Sequence, residues 1–426
     1  MRINYKTFWS FTIVFFYLIE THFYKLLKLN NTYVKYVLFS ISLIVLGIYI
    51  CDKSFWRNIK TTTTFFSKYY VALIFLFFIP QLMYVLSTYN QGIVDYLKEA
   101  YYYCFVFLCP ILLYVFSANK GIKSFLDKIT TVVSIGLVIN IINSFVYNNT
   151  GKLILNVAEK SRDGVLRTYS ISSLIGLIAI YTTWRVIYFG KVICMDKNLV
   201  LYINKNLIEF TICMVSIFYC YQSRILELVV VALIGFMYLT KRQNSHKKIA
   251  VYLAFCAGFI LFVNIGGFNQ ILSSFSLDGD KGGSTYSRLR EVAFYIDAFK
   301  QNPLFGIGLI SPESPVGAIL IRGDEGKNYI QDVGYIGLLA SVGLTSIPLL
   351  LLPYLRMGYI LFKCRKFRNE YYNFMQSLLI FMVISGVTLL TVNSGRMLTF
   401  VFSLAIFEFL YWQMTSQGYK TIRKKV

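Results

Sequence analysis

Apolar blocks alternate with short charged connectors along most of this chain. The blocks are about 17–25 residues long, the length a helix needs to cross roughly 30 Å of hydrocarbon. The pattern predicts twelve spanning helices, at about 7–25, 33–51, 69–88, 99–117, 129–147, 168–189, 205–222, 224–240, 249–268, 330–355, 372–392 and 397–414. One long segment departs from it. In the stretch 284–308, Leu289, Val292, Ala293, Ile296 and Phe299 recur at helical spacing with Arg290, Glu291, Asp297 and Lys300 between them. This predicts an amphipathic helix that Pro303 stops, followed by a Gly306-Ile307-Gly308 turn. A helix of this kind between two spans is expected to lie along the lipid interface, its arginines turned towards polar material.

The charge pattern orients the spans. Most of the 42 lysines and arginines fall in connectors on the side of the two termini, and basic residues concentrate on the cytoplasmic side of membrane proteins. Both termini are therefore expected in the cytoplasm, and 269–329 becomes one long external loop. Its two arms, 273–284 and 311–328, are polar and rich in glycine or proline, and are expected to be mobile around the ordered helix. The chain 1–426 then forms a single polytopic domain.

Composition agrees: 57% of residues are hydrophobic and 15% charged, too apolar for an ordinary soluble globule. The first apolar block lacks a small-residue cleavage site and is taken as a span, with no cleaved leader. A net charge of +22 raises nucleic acid as a partner, but the basic residues are scattered among connectors, which excludes it. The eight cysteines lie in spans or cytoplasmic connectors, and neither His22 nor His246 has a ligand neighbour at metal-binding spacing; no disulfide framework, metal or cofactor is expected.

Positive charge on the outer side opposes the topology rule and calls for a reason. Arg224 lies in a tight external turn, Ser223-Arg224, between adjacent spans; Arg162 and Arg167 lead into the sixth span; Arg288 and Arg290 open the amphipathic helix. Arginine's planar, permanently charged fork suits phosphate, and several from different loops suit a diphosphate. Each also has a plainer use: Arg224 pairing with Glu227, Arg162 with Asp163, Arg288 and Arg290 solubilising a helix face. Asp332 sits at the mouth of the tenth span, either capping a helix or accepting a proton from an attacking hydroxyl, a role also open to the loop carboxylates Glu313 and Glu325. Arg396 is a minor candidate, and Glu209 and Glu408 are expected to pair with nearby polar groups.

Taken together, Ser223-Arg224 between two spans, Ser287-Arg288-Leu289-Arg290 opening an external helix, Asn302-Pro303-Leu304-Phe305-Gly306-Ile307-Gly308 closing it, and Asp332-Val333-Gly334-Tyr335 in the next span resemble the O-antigen polymerase and O-antigen ligase superfamily. The similarity runs over about residues 160–345. It implies an all-α integral membrane enzyme of about twelve helices in the bacterial cytoplasmic membrane, moving glycan from undecaprenyl diphosphate at the outer face. It further implies that Arg224 and Arg288 hold the diphosphate, with Arg162 or Arg167 assisting and Arg290 nearby, and that a chain-length regulator is a partner. The ligases carry a histidine before the span that follows the long loop; here Asp332 stands at that place, which favours a repeat-unit polymerase. A transporter of lipid-linked sugar would also use twelve spans, but would show related halves, broken helices or mid-membrane charges.

Overall fold

The computed structural model describes residues 31–51, 60–118, 122–154, 159–162, 165–168, 172–189, 197–221, 224–241, 282–367, 370–387, 392–393 and 396–423. The predicted spans 7–25 and 249–268 and the arm 273–281 lie outside them. Helices stand at every other predicted span, and one short hairpin, Glu159–Arg162 paired with Val165–Thr168, interrupts an otherwise all-helical chain.

Among the described residues five helices are long and apolar enough to cross a membrane: Phe65–Tyr89, Ile93–Ser117, Ile122–Thr150, Ile347–Cys364 and Met397–Thr415; four shorter apolar helices accompany them. Their outward faces carry large apolar side chains such as Phe75, Met83, Leu355 and Phe362, the last 70% exposed, which only a lipid surround makes favourable. Residues 397–410 are buried on every side. A helix apolar all round belongs at the centre of a bundle, and this one packs against 93–118, 172–189, 352–364 and 370–385.

Two buried ion pairs lock the bundle. Arg356 Nε donates to Glu408 Oε1 at 2.6 Å and Nη2 to Oε2 at 3.0 Å, with the guanidinium over the rings of Phe65, Tyr359 and Tyr411. Arg185, wholly buried, bonds Glu209 at 2.8 Å and lies 3.3 Å from Asp127. Glu209 and Glu408 thus have the polar partners expected of them. Arg356, just past the end of the predicted span 330–355, lies inside a helix that continues to Cys364.

The tenth predicted span, 330–355, is not one helix. It breaks at Gly343, whose φ of +60° favours glycine, and a Cβ there would fall 2.5 Å from the Leu304 carbonyl oxygen. Into this break docks the Asn302–Gly308 segment. Ile307 N donates to Ala340 O at 2.7 Å, Gly308 N to Ser341 O at 2.7 Å, and Leu344 N to Pro303 O at 2.9 Å. From the 60–89 helix, buried Gln81 Nε2 reaches Phe305 O, Val342 O and Thr345 Oγ1 at 3.1, 2.9 and 2.7 Å. A helix break at membrane depth is stable only when its freed backbone groups find partners, and these contacts supply them. Gln81→Leu is expected to cost on the order of 1–3 kcal/mol for each acceptor left without a donor, read as a lower thermal midpoint of the detergent-solubilised protein. An unchanged midpoint would show that the break is satisfied without Gln81.

The second arm of the long loop is also ordered, contrary to expectation. Ser314 caps a helix, Pro315–Arg322, by accepting from Gly317 N at 3.0 Å. Tyr295 Oη donates to Ile321 O at 2.7 Å, which fixes that helix to the amphipathic one.

Candidate functional site

The amphipathic helix runs from Gly282 to Gln301, and Pro303 follows its end. Its protein-facing side differs from the predicted stripe. Glu291 and Tyr295 are buried, with Glu291 only 3% exposed, whereas Leu289 is 56% exposed and Ala293 and Ile296 are also outward. Periodicity located the helix but not the side it buries: Leu289, Ala293 and Ile296 turn away from the protein, as lipid-facing side chains would, while Val292 and Phe294 pack inward with Tyr295 beside buried Glu291.

The inward side gathers charge. Arg288, Arg290 and Asp332 all lie near enough to Glu291 to act on its ionisation. Burial first, and the Asp332 carboxylate second, raise the Glu291 pKa; the Tyr329 N–H, at 3.3 Å from Oε1, and then the two arginines oppose the rise. Glu291 Oε2, Arg290 Nε and Asn328 Oδ1 are buried with no hydrogen-bond partner among the described residues. In the sequence Glu291 is one polar residue among several, and its i+3 spacing from Arg288 is the signal that marks it.

An upward shift means that the unfolded chain gives up this proton first as pH rises. Glu291 therefore subtracts stability above the ordinary carboxylate pKa of about 4.3, and the deficit grows until pH passes its raised folded value. Glu291→Gln is expected to melt higher than wild type at neutral pH and to lose that advantage as pH approaches about 4. Parallel melting curves across this range would contradict the burial of an ionisable Glu291.

Asp332 does not cap the following helix: the residue at the cap of Gly334–Val342 is Val333, with no side-chain bond. Its own turn is held by the motif around it. Gly334, at φ +53°, lies against the Gly386 and Val387 carbonyls, where a Cβ would come within 2.4 Å. Tyr335 Oη donates to Val383 O at 2.9 Å. The Asp-x-Gly-Tyr motif thus fastens this turn to the end of the 370–385 helix and leaves the Asp332 side chain beside a cavity of about 640 Å³. Glu325, the other carboxylate near Arg290, is exposed, pairs with Lys327 at 3.1 Å and lies 3.6 Å from Arg290; Lys327 first, and Arg290 after it, lower its pKa, so it is a weaker base. Glu313 is exposed.

The other candidate arginines are placed by their backbone. Arg167 stands opposite Lys160 and Arg162 opposite Val165 in the hairpin, whose second strand packs beside the 216–221 turn. Arg224 opens the Arg224–Thr240 helix three residues beyond that turn. The structure therefore brings Arg288, Arg290 and Asp332 together around Glu291, and sets the Arg162–Arg167 hairpin beside the corner leading to Arg224. Arg396, the minor candidate, is buried in the turn before the last helix. Among the described residues no three His, Cys, Asp or Glu side chains converge as metal ligands.

Residues 210–351 match the family model described as O-antigen ligase. The matched segment begins within the Lys197–Val215 helix, takes in Arg224, Arg288, Arg290 and Asp332, and ends just beyond the break at Gly343. No curated protein matches the chain.

Proposed function

We propose that this chain, a helical membrane protein carrying an O-antigen ligase-type domain over residues 210–351, is a surface-polysaccharide repeat-unit polymerase. It would act as a single domain at the outer face of the bacterial cytoplasmic membrane with both termini inside, moving glycan from undecaprenyl diphosphate to a second lipid-linked repeat unit. The observation that carries the reading is the meeting of Arg288 and Arg290 with Asp332 around buried Glu291. Cations at the start of an interfacial helix suit a lipid diphosphate, and a carboxylate at the same place suits a hydroxyl that must lose a proton.

In the proposed reaction an acceptor hydroxyl oxygen bonds to the anomeric carbon as the bond from that carbon to the diphosphate oxygen breaks. Undecaprenyl diphosphate leaves with the electron pair, held by Arg288 and Arg224 with Arg290, Arg162 and Arg167 assisting. The hydroxyl proton passes to Asp332. The arginines supply the positive charge, so the reading needs no metal, and they act most strongly where charge develops. Single displacement inverts the anomeric centre.

Ligase-type transfer to another acceptor is the second reading, favoured by the description of the matching family. The break at Gly343 is a feature a transporter would use, yet its backbone groups bond to residues 303–308 and to Gln81 and do not line an ion path. The deciding test is purified protein with a synthetic undecaprenyl-diphosphate repeat unit, resolved by glycan length. A ladder from this substrate alone supports the polymerase. Transfer only after another acceptor is added means a ligase, and movement of the lipid across proteoliposomes without transfer means a transporter.

A further inference from the structure

The cavity beside Asp332 has features that diphosphate binding does not require. Its walls come from six separate segments: Lys98–Tyr103, Ile307–Pro312, Ile321–Arg322, Asn328–Asp332, Gly337–Ser341 and the turn at Asn393. Its volume of about 640 Å³ lies within the range of roughly 300–1,000 Å³ typical of small-ligand sites. The charges on the wall balance: Lys98 and Arg322 against Glu99 and Asp332. An anion would gain little there, in contrast to the arginine-rich end of the neighbouring helix.

The remaining lining is uncharged and mixed, with aliphatic side chains such as Ile307, Leu309 and Ile321 beside aromatic and neutral polar ones. Tyr101, Tyr102 and Tyr103 follow one another in a tightened helical turn; Tyr101 and Tyr103 are buried in the core, whereas Tyr102 is half-buried, and its Oη donates to Tyr103 Oη at 2.7 Å. Asn328 is 8% exposed, lines the cavity, and its Oδ1 has no partner among the described residues. An amide oxygen buried without a donor costs free energy unless a ligand or water supplies one. Gln331 and Asn393 add amides and Ser341 a hydroxyl.

We infer that this cavity is the acceptor-glycan subsite, taking an uncharged, hydroxyl-rich end of an oligosaccharide. Tyrosine rings offer flat apolar faces for the C–H faces of sugar rings, while the Asn328 oxygen accepts from a sugar hydroxyl. Asp332 then stands on the wall of the pocket that presents the attacking hydroxyl. The inference rests on the proposed transferase reading for its role, but its binding claim can be tested apart from it.

The probe is a repeat-unit oligosaccharide freed of its lipid, taken from the host's own surface polysaccharide and added to full-length protein in nanodiscs. Saturation-transfer NMR reads binding, and acceptor and donor KM are read separately in the transfer assay. Asn328→Leu and Tyr102→Leu are expected to weaken the saturation-transfer signal and raise acceptor KM about tenfold, with donor KM within about twofold. Gln331→Ala, at an exposed position, is expected to show the same split more weakly and does so without risk to folding; Tyr102→Phe keeps the ring and most of the binding. No saturation transfer to wild type, unaltered binding in all the variants, or parallel rises in donor and acceptor KM would each overturn the assignment. If wild type binds the glycan through these residues but transfers nothing, the subsite stands and the transferase reading falls.

Discussion

Arg288→Ala is expected to lower glycan transfer by about 100-fold or more while leaving the protein folded. Arg288 is exposed near the start of the amphipathic helix, so its truncation removes no core packing. The size follows from removing one positioned group that meets charge as it develops, which costs on the order of 10²–10³ in rate. Lysine at this position would retain charge but lose the planar fork, so Arg288→Lys is expected to fall between wild type and alanine. The check is single-turnover transfer at saturating donor, beside a thermal melt. If the alanine variant transferred glycan at the wild-type rate, Arg288 would be only a solubilising residue on an interfacial helix.

The largest effect on stability is expected from Arg356→Leu. Glu408 is wholly buried on the central helix and its two oxygens are held by one guanidinium. Removing Arg356 leaves a carboxylate in an apolar bundle, and breaking a buried pair from one side costs about 3–5 kcal/mol. Combining Arg356→Leu with Glu408→Leu removes both charges together and is expected to recover most of the loss. The measurement is the fraction of detergent-solubilised protein that stays monodisperse after heating, for both singles and the double. A double variant no better than Arg356→Leu would mean that the packing of the arginine on Phe65, Tyr359 and Tyr411, and not the ion pair, carries the stability.

Both predictions turn on charges that were visible in the sequence in different ways. Arg288 lies on the side that the charge pattern assigns to the exterior, where arginine is uncommon, and Asp332 opens a span directly after a long loop. Arg356 carries no such signal, since a basic residue near the end of an apolar block looks like a connector. Only packing shows that the helix runs on to Cys364 and that Glu408 waits opposite. Glu291 was equally hidden: on a helical wheel it is one more polar residue, and its partners Tyr329 and Asp332 lie about forty positions further on. The motif glycines show the same divide. Gly306, Gly308 and Gly334 signal a turn or a close approach, but not that the first two close a break in a distant helix or that the third lies on the carbonyls of Gly386 and Val387.

Block length and composition by themselves determined that this is a helical membrane protein and located most of its helices, because hydrocarbon requires a long apolar run whose backbone bonds within itself. Local pattern likewise determined the amphipathic helix and its stop at Pro303. Tertiary structure alone decided which face of that helix turns inward, where the tenth span breaks, that the 315–322 arm is ordered, and that a cavity opens beside Asp332. The physical reason is that periodicity records only which side of a helix is apolar. In a membrane protein both lipid and protein accept an apolar face, so contacts between distant segments must settle which of the two it meets.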